Sequence, residues 1–306
     1  MNSARRPGVA APWRQGEVRL AWQLVLPALV MLGLTALVPI GWTAWESLHL
    51  HDLRMPWLGR PFIGGANYIE AISDRRFLEA AFHTAVFAGV AVTLEMCGGL
   101  VLALGLERVT HGVRVMRTAI LLPWAVPTVV AALVWRFIFE SPGGMATMAV
   151  EQLGVAAPTW LADPVAAWVP VVLADVWKTM PFVALLLIAG LQNIDPLLYE
   201  AASIDGASAW RQFVDITLPL LRPALTVAFL FRLLDAFRVF DIVYVLTGGG
   251  PGTATEPVAV YAFIALMQSL RFGYGSALSM IVFGVSFMVA LVAVRLLSPE
   301  PQRSSR

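Results

Sequence analysis

The sequence predicts an all-α integral membrane protein with six transmembrane helices. Of its 306 residues, 58% are hydrophobic and only 13% are charged, whereas roughly 25% charged residues are usual in soluble domains. The mean hydropathy is +0.75. Helices satisfy their backbone hydrogen bonds internally, so they are the expected way for so apolar a chain to cross a bilayer.

Six apolar segments are each long enough to cross ~30 Å of hydrocarbon. They lie near residues 20–45, 80–104, 116–139, 165–190, 218–241 and 275–297. The first segment is too long for the apolar core of a secretory signal, so we expect it to be retained. The prediction is one transmembrane domain over residues 20–297, with cytoplasmic tails at 1–19 and 298–306.

The distribution of arginine predicts that both termini are cytoplasmic. With this orientation twelve arginines lie on the cytoplasmic side and five lie outside. Residues 140–164 contain no lysine or arginine, as expected of an external loop. The stretch NYIEAISDRRFLEAAFHT contains two of the external arginines, and we predict that it is an amphipathic helix lying on the outer membrane surface.

Composition excludes several functions. The only lysine is Lys178, and the LADVW stretch before it has no glycine, so the chain lacks the loop that binds nucleotide phosphates. It contains no His-Glu-x-x-His metal motif and no basic block, so we expect neither an enzyme, nor a metal site, nor a nucleic-acid partner. We expect no cofactor in this chain and predict that Cys97 is a buried apolar residue.

The loop at about residues 194–217 is too polar to cross the membrane. Asp195 is suited to cap a helix that has Pro196 in its first turn. Gly206 fits the left-handed stop position, and Ser208 can cap a second short helix before the next span. Taken alone, the loop is either an elbow resting on the membrane or a docking helix for a cytoplasmic partner.

Three stretches carry a family resemblance. The loop sequence EAASIDGASAWRQFVDITLP resembles the EAA loop of binding-protein-dependent ABC importer permeases. FIGGANYIEA resembles a segment before the second span of carbohydrate-uptake permeases. FDIVYVLTGGGPG is similar to a stretch of the first permease in maltose-, glycerol-3-phosphate- and trehalose-type importers, and the chain looks close to actinobacterial trehalose permeases. The residues that match the EAA pattern are Glu200, Ala201, Ala202, Gly206, Ile216, Leu218 and Pro219.

The resemblance implies the permease fold of type I ABC importers, in a multi-pass protein of the cell membrane. Its loop would be the coupling helix, seated in a cleft of an ATPase subunit that binds ATP and Mg. The implied partners are a second homologous permease, two ATPase subunits, an extracytoplasmic solute-binding protein and membrane lipid. The implied cargo is a sugar such as trehalose or another di- or oligosaccharide. A stand-alone ion-coupled secondary transporter is the alternative, because carboxylates at membrane depth suit that class too.

Charged residues inside the spans are the candidates for a solute path. We predict that Asp175 and Lys178, three residues apart, pair on one helix face. A ladder on the fifth span alternates in sign, and it either lines the path of a hydroxyl-rich solute or holds helices together. Glu95 and Arg136 are predicted to be structural. The ladder consists of Arg232, Asp235, Arg238 and Asp241, and the aromatic residues that could stack on a sugar are Trp177, Phe182 and Phe237.

The glycine-rich stretch TGGGPG predicts a tight external loop after the fifth span. The resemblance implies that it forms part of the face for the solute-binding protein, while a plain turn is the alternative. The residues concerned are Gly248, Gly249, Gly250 and Pro251.

Overall fold

The computed structural model describes residues 12–107, 109 and 112–297, which form helices joined by loops without a β-sheet. The predicted tail at 298–306 and the first eleven residues of the predicted N-terminal tail lie outside this part of the chain. The helices are α1 (Pro12–Leu32), α2 (Val38–Ser47), α3 (Ala66–Ser73), α4 (Arg75–Glu107), α5 (Val113–Ala125), α6 (Thr128–Ile138), α7 (Met145–Gln152), α8 (Trp168–Leu191), α9 (Pro196–Ile204), α10 (Ala209–Gln212), α11 (Leu218–Ala236), α12 (Asp241–Leu246), α13 (Val258–Phe263) and α14 (Phe272–Leu297).

The described helices confirm the all-α membrane fold. Five of them are long and apolar enough to cross a bilayer. One is α1 continued into α2 through a turn of π-helix at Gly33–Leu37, and another is α10 continued into α11 through a similar turn at Phe213–Thr217. The helices α4, α8 and α14 are the other three, and α5 with α6 makes a sixth span that is bent by 88°.

The third span lies where an apolar segment was predicted, at 116–139, but it is broken into two helices rather than continuous. Val126 separates α5 from α6 in an extended conformation, with φ −67° and ψ 132°. The residue before a proline is disfavoured in a helix, and the Pro127 nitrogen has no hydrogen to donate. The break thus follows from the PWAVP sequence, which mean hydropathy does not reveal.

The fifth span also differs from the prediction at both ends. It begins at Ala209 rather than near residue 218, because α10 runs into it without interruption. It stops at Ala236, where tight i to i+3 bonds from Arg238 N and Val239 N replace the helical pattern. The predicted charge ladder therefore spans a helix, a short turn and the start of α12.

The predicted amphipathic helix at the outer surface is two separate elements. Asp74 ends α3 in an extended conformation, and its carboxylate accepts a 2.9 Å hydrogen bond from Arg76 N at the start of α4. Only α3 is a short surface helix, with Asn67 and Ala71 buried and Ile69 exposed. The remaining half of the stretch opens the second span.

The core of the bundle is the close contact of α4 with α8. Gly99 permits it, since a Cβ atom there would lie 2.6 Å from Val183 Cγ1 and 3.2 Å from Ala184 N. Cys97, on the same helix, is exposed, so the prediction that it is buried was wrong.

Replacing Gly99 with valine is expected to lower the free energy of unfolding by roughly 1–3 kcal/mol, because the larger side chain forces α4 and α8 apart. Thermal unfolding in detergent measures the effect. Gly105→Val is the matched control, because a Cβ atom there meets nothing within 4 Å. Equal destabilisation by both variants would show that β-branching in α4, and not the helix contact, is responsible.

Candidate functional site

A buried ionic cluster joins three spans. The Arg232 guanidinium of α11 contacts the Glu95 carboxylate of α4 through Nε and Nη2, at 2.5 and 2.8 Å. Its Nη2 also donates to Asp175 Oδ2 of α8 at 3.1 Å, and its Nη1 to Asp235 Oδ2 at 2.6 Å. The Thr179 hydroxyl donates to Glu95 Oε1 at 2.7 Å. Arg232 thus uses its planar fork of donors to link three helices.

The cluster has a closed inner part and an open outer part. Glu95 is 0% exposed, Arg232 3% and Asp175 8%, so these charges depend on each other for compensation. The Asp235 side chain is 62% exposed. Three carboxylates surround one guanidinium, which leaves an excess of acceptors at the outer edge for hydroxyl groups.

Glu95 is the central carboxylate of the cluster, and its place between α4, α8 and α11 fits the structural role predicted for it, but its partner was not predicted. Its helical neighbours three and four residues away are apolar or small. A carboxylate at membrane depth without a local partner needs one from another helix, and that signal could have identified it.

Asp175 and Lys178 do not pair, contrary to the prediction. Asp175 bonds to Arg232. The Lys178 ammonium donates to two main-chain carbonyls at the break between α5 and α6, those of Val126 at 2.6 Å and Trp124 at 3.2 Å. Arg232 and Asp235, also three residues apart, do form an ion pair, as the alternating signs of the ladder allow.

A cavity of about 140 Å³ opens beside the cluster. The cavity lies between the break in the third span, α8 and the end of α11. The structure thus brings together the six charged residues predicted as candidates for the solute path. Arg238 and Asp241 stand at its exposed side. The polar residues that line it are Thr128, Asp175, Lys178, Thr179, Arg232, Asp235, Arg238 and Asp241.

The three predicted aromatic residues lie away from the lining of this cavity. Trp177 packs edge-on against Trp135, with ring centroids 6.0 Å apart. Phe182 stacks on Trp124 at 5.8 Å. Phe237 lines a separate apolar cavity. Stacking of these rings on a sugar stays a prediction, and none of the three rings lines the charged cavity.

At the opposite end of α8 the loop folds as predicted. The Asp195 carboxylate accepts a 2.9 Å bond from Leu197 N, which confirms the cap of α9. Gly206 has φ +74°. Its N–H donates to Ser203 O at 3.1 Å, and the next N–H donates to Ala202 O at 2.9 Å. These two bonds form a Schellman motif, which fixes the turn rather than leaving it loose.

The loop is braced against the spans on one side and open on the other. The Tyr199 hydroxyl hydrogen-bonds Thr217 Oγ1 at 3.0 Å. Both Tyr199 and Ile216 pack on an apolar core that α4, α8 and α11 form at this end of the bundle. No residue of α9 is buried in the described structure, and Ile204 is 87% exposed. Glu200 and Ala201 lie on this uncovered helix.

The glycine-rich loop is compact and tied down. The Thr255 hydroxyl donates to Gly250 O at 2.7 Å, and Thr255 N donates to Gly249 O at 3.1 Å. The following residue, Glu256, forms a 2.9 Å ion pair with Arg76 at the start of α4. Burial raises the pKa of Glu256, and the Arg76 charge offsets part of that rise. A tight loop held to a span offers a firm surface at this end of the bundle.

Next to this ion pair, Asp74 accepts hydrogen bonds from the hydroxyls of Tyr261 and Tyr274. Burial acts to raise the Asp74 pKa, but the hydrogen bonds from the two hydroxyls and from the backbone N–H groups of Arg76 and Phe77 together outweigh it, and the pKa lies below its usual value. The junction of α3 with α4 is thereby fixed to α13 and α14.

An uncovered helix braced against the spans at one end and a charged cavity between the spans are features that a membrane transport subunit needs. Residues 95–300 match the family model of the binding-protein-dependent transport system inner membrane component, and the chain belongs to this family.

Three relatives match over nearly their whole length. The chain is 42% identical over 279 residues to the trehalose/maltose transport system permease protein MalF of Thermococcus litoralis, covering 91% of this chain and 94% of the relative. It is 39% identical over 284 residues to the trehalose transport system permease protein SugA of Mycobacterium tuberculosis, covering 92% and 90%. The sulfoquinovosyl glycerol transport system permease protein SmoG of Agrobacterium fabrum is 37% identical over 283 residues, covering 92% and 91%.

Solved structures show the same fold. A chain of a bacterial ABC transporter involved in the import of the acidic polysaccharide alginate superimposes with a TM-score of 0.80, at 21% identity over 93% of this chain and 97% of that chain. The alginate transporter in complex with an alginate pentasaccharide-bound periplasmic protein gives 0.79, at 21% identity over 94% and 98%. The predicted ABC importer permease fold is confirmed.

Proposed function

We propose that this chain is one of two permeases in an ABC importer for a small neutral sugar, with trehalose and maltose as the first candidates. The observation that carries the proposal is α9, an uncovered helix with Glu200 and Ala201 on it, braced against the spans through Tyr199. Two of the relatives bear names of trehalose or trehalose/maltose transport, and this supports the substrate class.

The charged cavity fits half of a translocation path. Its volume of about 140 Å³ is below the ~300–1,000 Å³ of a complete ligand site, so a second, homologous permease would supply the facing wall. Asp235, Arg238 and Asp241 are the exposed groups that this chain offers to the hydroxyls of a sugar. Carboxylates and guanidinium groups make short, directed hydrogen bonds to such groups.

The mechanism that we propose runs along α11. A cytoplasmic ATPase, which binds ATP and Mg²⁺, holds α9 in a cleft and moves it when its two copies close. Tyr199 and Ile216 pass this motion to the base of α11. Arg232 lies fourteen residues beyond Leu218 on this helix, ~21 Å away at 1.5 Å per residue. One rigid helix therefore connects the coupling loop with the ionic cluster, and its two positions would open the path to either side.

With both termini in the cytoplasm, the compact loop of Gly248, Gly249, Gly250 and Pro251 lies outside. A loop held to α4 through Glu256 presents the same surface each time a solute-binding protein docks. The two ends of the bundle would then serve the two soluble partners.

The test is uptake of labelled trehalose and maltose by cells that express the complete transporter. Depletion of ATP is expected to stop uptake, whereas a protonophore that leaves ATP intact is expected to spare it. Purification of the tagged chain from these membranes is expected to recover an ATPase subunit in stoichiometric amount. Uptake that the protonophore abolishes while ATP persists would support the ion-coupled alternative and contradict the proposal.

A further inference from the structure

The break in the third span leaves main-chain carbonyls without helical partners. The helix α5 ends at Ala125 and α6 begins at Thr128, and the two helices are bent by 88° relative to each other. Because Pro127 lacks an N–H and Val126 is extended, the last carbonyls of α5 cannot be satisfied by a continuing helix. An unpaired carbonyl inside a membrane protein is costly. Something else must bond to these groups.

Lys178 is that partner. Its ammonium reaches across from α8 to Val126 O at 2.6 Å and Trp124 O at 3.2 Å, one carbonyl from the end of α5 and one from the connection. A positive charge at the C-terminal end of a helix also interacts favourably with the helix dipole. The two bonds join the third span to α8 at the point where the third span changes direction.

Lys178 also belongs to the charged cavity, which Thr128 lines from the first turn of α6. An ammonium has three N–H donors, and the two carbonyls take two of them. The nearby acids are engaged elsewhere, since Asp175 and Asp235 both bond to Arg232. Among the described residues Lys178 has no carboxylate within ion-pair distance. Its hydrogen bonds go to the Val126 and Trp124 carbonyls.

We propose that Lys178 is a positioning residue that holds the bend of the third span, and so sets how far the start of α6 opens into the cavity. We call the two bonds from Lys178 to the Val126 and Trp124 carbonyls the tether, and its existence follows from these contacts alone. That this opening governs passage of a sugar rests on the proposed function. A second role, neutralising Asp175 and Asp235 without holding the bend, makes different predictions.

The experiment measures the accessibility of one residue in native membranes. Cys97 is exposed and is first replaced by alanine. Thr128→Cys then reports on the start of α6 through its rate of modification by a water-soluble thiol reagent. Lys178→Met is expected to raise this rate about tenfold or more, because bonds to a charged donor are lost. Lys178→Arg keeps a donor to the carbonyls and is expected to restore most of the parental rate.

Two controls separate the tether from other effects. Arg238→Cys reports on the exposed side of the same cavity, and its rate of modification is expected to stay constant when Lys178 is replaced by methionine. If both cysteines react faster, the whole cavity has loosened and the proposal is wrong. Adding Asp235→Asn to Lys178→Met removes one negative charge without restoring the tether. If that double variant returns Thr128→Cys to the parental rate, charge balance is the role of Lys178 and the proposal is overturned.

This assay needs no transport, so it can fail independently of the proposed function. An unchanged Thr128→Cys rate in Lys178→Met overturns the tether, whatever the cargo. A raised rate together with lost sugar uptake supports both the tether and its place in the path.

Discussion

Replacing Arg232 with methionine is expected to destabilise the protein by about 3–5 kcal/mol, because Glu95 and Asp175 would stay buried without their cation. The expected result is a lower unfolding temperature in detergent and less chain recovered from the membrane. Arg238→Met is the matched control, since Arg238 is exposed and has no side-chain partner among the described residues. That change is expected to alter the free energy of unfolding by no more than about 0.5 kcal/mol.

The double replacement of Arg232 and Glu95 with methionine tests whether the loss comes from unpaired charge. Removing both partners of a buried ion pair is often close to neutral, since the desolvation cost of the charges disappears with them. We therefore expect the double variant to be more stable than Arg232→Met alone. The single variant Glu95→Met is measured as well. If the double variant loses as much stability as Arg232→Met and Glu95→Met added together, packing, and not charge compensation, makes this cluster important.

Rules that act within a few residues predicted local structure well. The cap at Asp195 and the left-handed stop at Gly206 depend on residues no more than five positions away, and the structure has both. Apolar length located all six spans approximately, although the third is bent by 88° and the fifth runs from Ala209 to Ala236. The Arg232–Asp235 pair also follows from helical spacing.

The features that sequence reasoning missed depend on contacts between distant parts of the chain. Glu95 and Arg232 are 137 positions apart, so no periodicity within one helix relates them. Lys178 was paired with Asp175 because spacing on α8 allows it, but the break in the third span offers carbonyls nearer to the ammonium. That break was itself overlooked because an average over apolar residues is insensitive to a single proline.

Replacing Glu200 with arginine is expected to lower ATP-dependent sugar uptake more than about tenfold, while leaving the chain folded in the membrane. Reversing a charge at a docked surface costs about 2–5 kcal/mol of association when the partner group is buried by docking. Stability should change by no more than about 0.5 kcal/mol, since Glu200 is exposed and makes no side-chain bond within the described chain. Uptake, ATPase recovery on purification and unfolding temperature are measured on the same membranes.

Glu151→Arg provides the matched control for this charge reversal. Glu151 is also an exposed glutamate on a short helix, α7, but it lies at the other end of α8 from the coupling loop. Its replacement makes the same change in net charge and is expected to spare both uptake and ATPase recovery. Loss of uptake in both variants would point to net charge or membrane insertion. Normal uptake and normal ATPase recovery with Glu200→Arg would mean that α9, although uncovered and firmly braced, does not form the contact that drives transport.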